Sequence, residues 1–128
     1  MSGLPITRHR LRVLLVDDQL PFRAAARQLL ETEDGYDVVG EAADGEEAVE
    51  LAIALQPELI LMDVRLPGIN GIEATRRILR RLPLAVVVLL STHRASDLPP
   101  DLLDCGAAGF VRKEALDPST LEQLIAST

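Results

Sequence analysis

Apolar residues in this chain fall into two alternating kinds of segment. Leu11–Val16, Tyr36–Gly40, Leu59–Met62, Ala85–Leu90 and Gly109–Arg112 are short, near-continuous runs rich in Val, Ile and Leu. Their length and composition suit strands buried on both faces. Between them, apolar residues recur at helical spacing. Phe22, Ala25, Ala26, Leu29 and Leu30 form one stripe; Ala48, Leu51, Ala52 and Leu55 a second; Ile72, Thr75, Ile78, Leu79 and Leu82 a third; and Leu121, Leu124 and Ile125 a last. Pro21 and Pro118 suit the first turns of helices, where a missing N–H costs nothing. Asp44 followed by Glu47 predicts a capping box. Gly35, Pro57 and Pro83 are expected to end helices. Residues 93–106 are less periodic, and Pro99-Pro100 leaves room only for a short helix over 98–104.

Strand followed by helix, five times over, predicts an α/β fold: a parallel five-stranded sheet with helices on both faces. Right-handed crossovers leave few topologies, and the flavodoxin-like (βα)5 three-layer sandwich with strand order 2-1-3-4-5 is the expectation. At 128 residues the chain makes one domain, over 11–128. Residues 1–10 mix Gly, Pro, Ser, Thr, Arg and His without period and are expected to be a flexible tail.

Composition narrows the functional classes. Aromatics are 2% of residues, so the core must be aliphatic. The net charge of −7 argues against direct nucleic-acid binding, which needs clustered Lys and Arg. Arg76, Arg77, Arg80 and Arg81 are predicted to form a solvated helix face. Cys105 is the sole cysteine, which rules out an internal disulfide and suits a reducing cytoplasm; in its apolar setting it is expected to be buried and unreactive. No stretch approaches the roughly 18–20 apolar residues of a membrane span, and no apolar leader is present, so no membrane association is expected.

The chemistry lies where strands end. Val16 runs into Asp17-Asp18, Met62 into Asp63, Leu90 into Ser91-Thr92, and Phe110-Val111-Arg112 into Lys113. In a parallel sheet these ends share one edge, beyond which ligands bind. Asp17 or Asp18 can serve as a helix cap; together they suit Mg²⁺, which prefers a few carboxylates with waters and phosphate oxygens. An ionised Asp63 ending a buried strand is costly without a cation or hydrogen bonds. As a nucleophile it would form an aspartyl-phosphate, with Mg²⁺ bridging it to Asp18. Lys113 can reach Asp63 or a phosphoryl oxygen. Ser91 and Thr92 compete for another such oxygen, and spacing does not choose between them.

With these motifs the chain resembles a response-regulator receiver domain of two-component signalling over residues 11–127, most like receivers of the NarL class that precede LuxR-type outputs. Val16-Asp17-Asp18 resembles the family's acidic pair, and Met62-Asp63-Val64-Arg65-Leu66-Pro67 with Gly71 its phosphoacceptor segment. Ser91 resembles the switch hydroxyl, Phe110 the switch aromatic and Lys113 the family lysine; Asp44-Gly45-Glu46-Glu47-Ala48 adds to the likeness. The resemblance implies that Asp63 accepts a phosphoryl group from a histidine kinase. It implies Mg²⁺ on Asp18, Asp63 and the Arg65 backbone carbonyl, with Asp17 acting through water. It implies that Ser91 moves inward on phosphorylation and Phe110 rotates into the vacated space. The output would be a helix-turn-helix DNA-binding domain outside this chain, or a homodimer partner, in transcription regulation. Phosphate lifetime is expected to depend on Arg65 and His93. Such a domain is not a conventional enzyme, although it assists its own phosphorylation and dephosphorylation.

Three departures from the family pattern stand out. Leu66 replaces a common Met, a volume-conserving change. Glu114 occupies the position where many members have Pro, as in NarL-type receivers, and Pro99-Pro100 is atypical. A Mg²⁺-dependent phosphohydrolase is the rival enzyme class. It would need a second Asp two residues after the nucleophile, where this chain has Arg65, and an inserted cap. A nucleotide or flavin binder would need a Gly- or Ser/Thr-rich loop after the first strand, where Asp17-Asp18-Gln19-Leu20 stands instead.

Overall fold

The computed structural model describes residues 10–92, 102 and 104–128. The five predicted strands form one parallel sheet in the order β2-β1-β3-β4-β5, the flavodoxin-like arrangement. They are β1 (Leu11–Val16), β2 (Tyr36–Ala42), β3 (Leu59–Asp63), β4 (Val86–Ser91) and β5 (Gly109–Arg112). Helices α1 (Leu20–Glu31), α2 (Gly45–Leu55), α3 (Gly71–Arg81) and α4 (Pro118–Ala126) are the four described, with a short 3₁₀ turn at Lys113–Ala115. The segment 98–104, predicted as a short helix, and the tail to residue 9 lie largely outside the described residues.

Period-two alternation along the strands divides the core in two. Leu14, Val16, Ile60, Met62, Val87 and Leu89 point to the face covered by α2 and α3. Val13, Leu15, Leu59, Leu61, Val88 and Leu90 point to the face covered by α1 and α4. Both layers are almost wholly aliphatic, and Cys105 is buried in the first with its thiol donating to the Leu102 carbonyl at 3.2 Å. Ala25, expected in the α1 stripe, is exposed; Ala26 and Leu30 carry the burial there.

Helix ends follow local chemistry. Asp44 Oδ1 accepts from Glu47 N–H at 2.7 Å, the first half of the expected capping box; Glu47 Oε1 reaches back one residue further than expected and accepts from Ala43 N–H at 2.7 Å. Asn70 and Asp117 cap α3 and α4 in the same way, through Glu73 N–H at 2.9 Å and Thr120 N–H at 2.7 Å. Helix α1 ends at Glu31, capped by Thr32, three residues before Gly35; Thr32 donates its hydroxyl to the Leu29 carbonyl at 2.7 Å and closes the turn. Among the described residues, the arginines of α3 are exposed or half-buried; Arg76 and Arg77 pair with Glu73.

Register brings the polar strand ends together. Val16 pairs with Met62, Asp63 with Leu90, and Ser91 with Arg112. Asp17, Asp63, Ser91 and Lys113 therefore lie along the C-terminal edge of the sheet.

Candidate functional site at the C-terminal edge of the sheet

Asp17 is held from three directions. Its N–H donates to the Ala42 carbonyl at 3.0 Å, its Oδ1 accepts from Gln19 N–H at 2.8 Å, and its carbonyl accepts from Arg23 Nη1. Arg23 Nε also donates to Glu41 Oε1 at 2.9 Å, and Arg27 Nε to Glu41 Oε2 at 2.8 Å. Burial works against the Glu41 charge, but hydrogen bonds from Arg27 and Arg23 outweigh it and hold the carboxyl below its ordinary range. One carboxylate on β2 thus braces two arginines of α1, and one of those braces the acidic turn. Asp18, next along, is exposed.

Asp63 ends β3 at only 5% exposure. Its Oδ1 accepts from Arg65 N–H at 3.2 Å and its Oδ2 from Lys113 Nζ at 3.3 Å. Lys113 also ion-pairs with Asp17 Oδ2, and its ammonium sits 4.6 Å from the centre of the Phe22 ring. Burial and the nearby charge of Asp17 push the Asp63 carboxyl up to about 6, against the opposing pull of Lys113. Burial disfavours the Lys113 charge, but hydrogen bonding to Asp17 and the charge of Asp63 hold the ammonium above its usual range.

Asp17, Asp18 and Asp63 each offer an oxygen, and these lie within 4.8 Å of one another. Lys113 is the ammonium that pairs with Asp17 and Asp63 in this cluster, and burial, with the Asp17 charge adding to it, makes an ionised Asp63 costly. This all-oxygen set fits a hard divalent cation such as Mg²⁺.

Ser91 is buried at the end of β4, whereas Thr92 is exposed. Phe110 is half-buried and packs against the α2–α3 side of the core. Arg65 is exposed beside Asp63, and His93 lies outside the described residues. The loop from Asp63 to α3 is tightly folded. Gly71 N–H donates to the Val64 carbonyl at 2.8 Å, and the Glu46 carboxylate accepts from Ile69 N–H at 3.2 and 3.3 Å.

Three contributors escaped the sequence reading. Phe22 registers only as one position of an apolar stripe. Arg23 and Glu41 give no local signal, because they are 18 residues apart and meet across α1 and β2.

A parallel sheet of this order, with an acidic rim, is the architecture of response-regulator receivers. The family model for the response regulator receiver domain matches residues 13–126, and the chain belongs to that family. It is 44% identical over 105 residues to response regulator GacA of Pseudomonas viridiflava, covering 82% of this chain and 49% of that protein. It is 36% identical over 109 residues to transcriptional regulatory protein DegU of Brevibacillus brevis, covering 85% of this chain and 46% of that one. The crystal structure of a two-component response regulator of the LuxR family from Aurantimonas sp. SI85-9A1 superposes with a TM-score of 0.81 at 39% identity, covering 92% of this chain and 84% of that one. The chain spans about half the length of the curated relatives it matches.

Proposed function

We propose that this chain is a phosphorylation-activated switch in which Asp63 accepts a phosphoryl group from a histidine kinase. The observation that carries this reading is the setting of Asp63: buried at a strand end, clustered with the oxygens of Asp17 and Asp18 and in contact with Lys113. A carboxylate oxygen of Asp63 attacks the phosphorus of a phosphohistidine. The P–O bond forms as the P–N bond breaks, and the departing imidazole nitrogen keeps the electron pair and takes a proton from solvent. Asp18, Asp63 and the Arg65 carbonyl would hold Mg²⁺, with Asp17 acting through water; the cation would neutralise charge on the phosphoryl oxygens.

Lys113 exchanges its contact with Asp63 Oδ2 for a phosphoryl oxygen. Ser91, buried at the rim, donates its hydroxyl to another; the exposure of Thr92 makes Ser91 the better candidate. As Ser91 draws inward, Phe110 turns into the space released, shifting the population between two surfaces around β5. Residues 11–128 act as the receiver domain, in the cytoplasm, and the surface shift is read by a helix-turn-helix output domain or a second copy. The relation to DegU, a transcriptional regulatory protein, supports that output class. DNA contact is left to the output domain, since this chain carries a net charge of −7.

Incubation with acetyl phosphate and Mg²⁺, followed by intact-mass analysis, tests the reading. Wild type is expected to gain one phosphoryl group and Asp63→Asn none. Absence of the adduct on wild type, or equal yield on the variant, overturns it.

The Glu41 brace makes a second expectation. Glu41→Ala releases Arg23 from one of its two anchors and loosens the acidic turn, so Mg²⁺ affinity should fall about tenfold, as it does when supporting partners of ligands are removed. Calorimetric titration giving wild-type affinity in a folded variant refutes this.

A further inference from the structure

We propose that Phe22 is a positioning residue for phosphoryl transfer: the face of its ring holds the Lys113 ammonium at the carboxylate cluster. The proposal rests on the phosphoacceptor reading of Asp63 and adds a residue to that site.

Lysine is a compact charge on a flexible four-carbon stem, so its position must be set by what surrounds the ammonium. Here Asp17 and Asp63 attract it from the rim, and the Phe22 ring covers it at 4.6 Å from the centroid. That separation is inside the roughly 6 Å range over which a cation is drawn to an aromatic face. The Lys113 side chain is only 10% exposed, which removes most of the water that would weaken the attraction. The ring itself is well anchored. Phe22 stands in the first turn of α1 beside Pro21, its N–H donates to the Gln19 carbonyl at 3.1 Å, and it packs against the α1–α4 side of the core.

Packing alone does not call for an aromatic residue. The buried core is aliphatic apart from Tyr36, and the chain has just two phenylalanines. One covers Lys113, and the other, Phe110, lies three residues before it on β5. Leucine at position 22 would fill the same apolar space but would offer the ammonium no negative face.

The substitutions separate the two roles. Phe22→Tyr keeps the aromatic face, Phe22→Leu removes it, and 3,4,5-trifluorophenylalanine at position 22 keeps the shape while draining the face of charge. Single-turnover phosphorylation by acetyl phosphate with Mg²⁺ should slow about three- to tenfold for Phe22→Leu and for the fluorinated residue, and stay near wild type for Phe22→Tyr. The ε-methylene protons of Lys113 should show an upfield ring-current shift in wild type that vanishes in Phe22→Leu. The fluorinated protein preserves the fold and keeps the test decisive if the leucine variant unfolds. Wild-type rates in both the leucine and the fluorinated proteins, or no ring-current shift in wild type, overturn the proposal. Wild type that takes up no phosphoryl group overturns the phosphoacceptor reading, and this proposal with it. Uptake by wild type with wild-type rates in both substituted proteins overturns this proposal alone.

Discussion

Asp63→Asn, besides taking up no phosphoryl group, should be more stable than wild type when Mg²⁺ is absent. Burial and the Asp17 charge push the Asp63 carboxyl up to about 6 in the fold from its ordinary 3.8, so the folded state holds this proton more tightly than the unfolded chain. Between about pH 4 and 6, folded wild type is therefore more protonated at this site than unfolded wild type, and its stability falls as pH rises through that window. That difference corresponds to at most roughly 3 kcal/mol, and access of water to the rim beside exposed Asp18 reduces this to about 1–2 kcal/mol. The value is a net one, since it already contains the favourable pull of Lys113. Asparagine escapes the cost. Its advantage should be complete above pH 6 and vanish below about pH 4, read by thermal or urea unfolding with a chelator present. Mg²⁺ should then narrow the gap by stabilising wild type more, by RT ln(1 + [Mg²⁺]/Kd) for each form. A variant less stable than wild type at pH 7 without Mg²⁺, or a pH-independent difference, contradicts this account.

Gly71→Ala should cost about 2–4 kcal/mol of stability. A Cβ at this position would stand 2.0 Å from the Asp63 carbonyl oxygen and 2.9 Å from its carbon. Both are backbone atoms at the end of a buried strand, with no freedom to give way. The first residue of α3 can approach the end of β3 so closely only without a side chain. Relief of the clash would have to move either α3 or Asp63, so phosphoryl uptake should fall along with stability. Gly35→Ala is the matched control: a Cβ there meets nothing within 4 Å, and its effect should stay under about 1 kcal/mol. Denaturant midpoints of the two variants check the pair, and equal midpoints would show that the approach at Gly71 is not tight.

The chain alone carried the succession of five strands and of the helices over 20–31, 45–55, 71–81 and 118–126, the strand order, the Asp44 cap, and the polar strand ends Asp17, Asp18, Asp63, Ser91 and Lys113. These are legible because period-two and helical spacing, end-caps and strand-terminal charges are local patterns, and because parallel strands place all their C-terminal ends on one edge. Boundaries were less legible. Helix α1 stops at Glu31 because Thr32 closes the turn there, before Gly35 is reached, and Ala25 faces water because small residues sit as readily outside as inside.

Folding added what spacing does not encode. The burial that distinguishes Ser91 from the exposed Thr92 is a property of neighbouring strands. The Glu41–Arg23 brace on Asp17 joins residues from different elements, and the Phe22 ring meets Lys113 across 91 residues of sequence. The raised Asp63 value depends on how much water and charge surround one carboxylate. Periodicity constrains which face of an element is buried; distances between side chains on different elements, and the desolvation that tunes their charges, exist only once the sheet has brought them together.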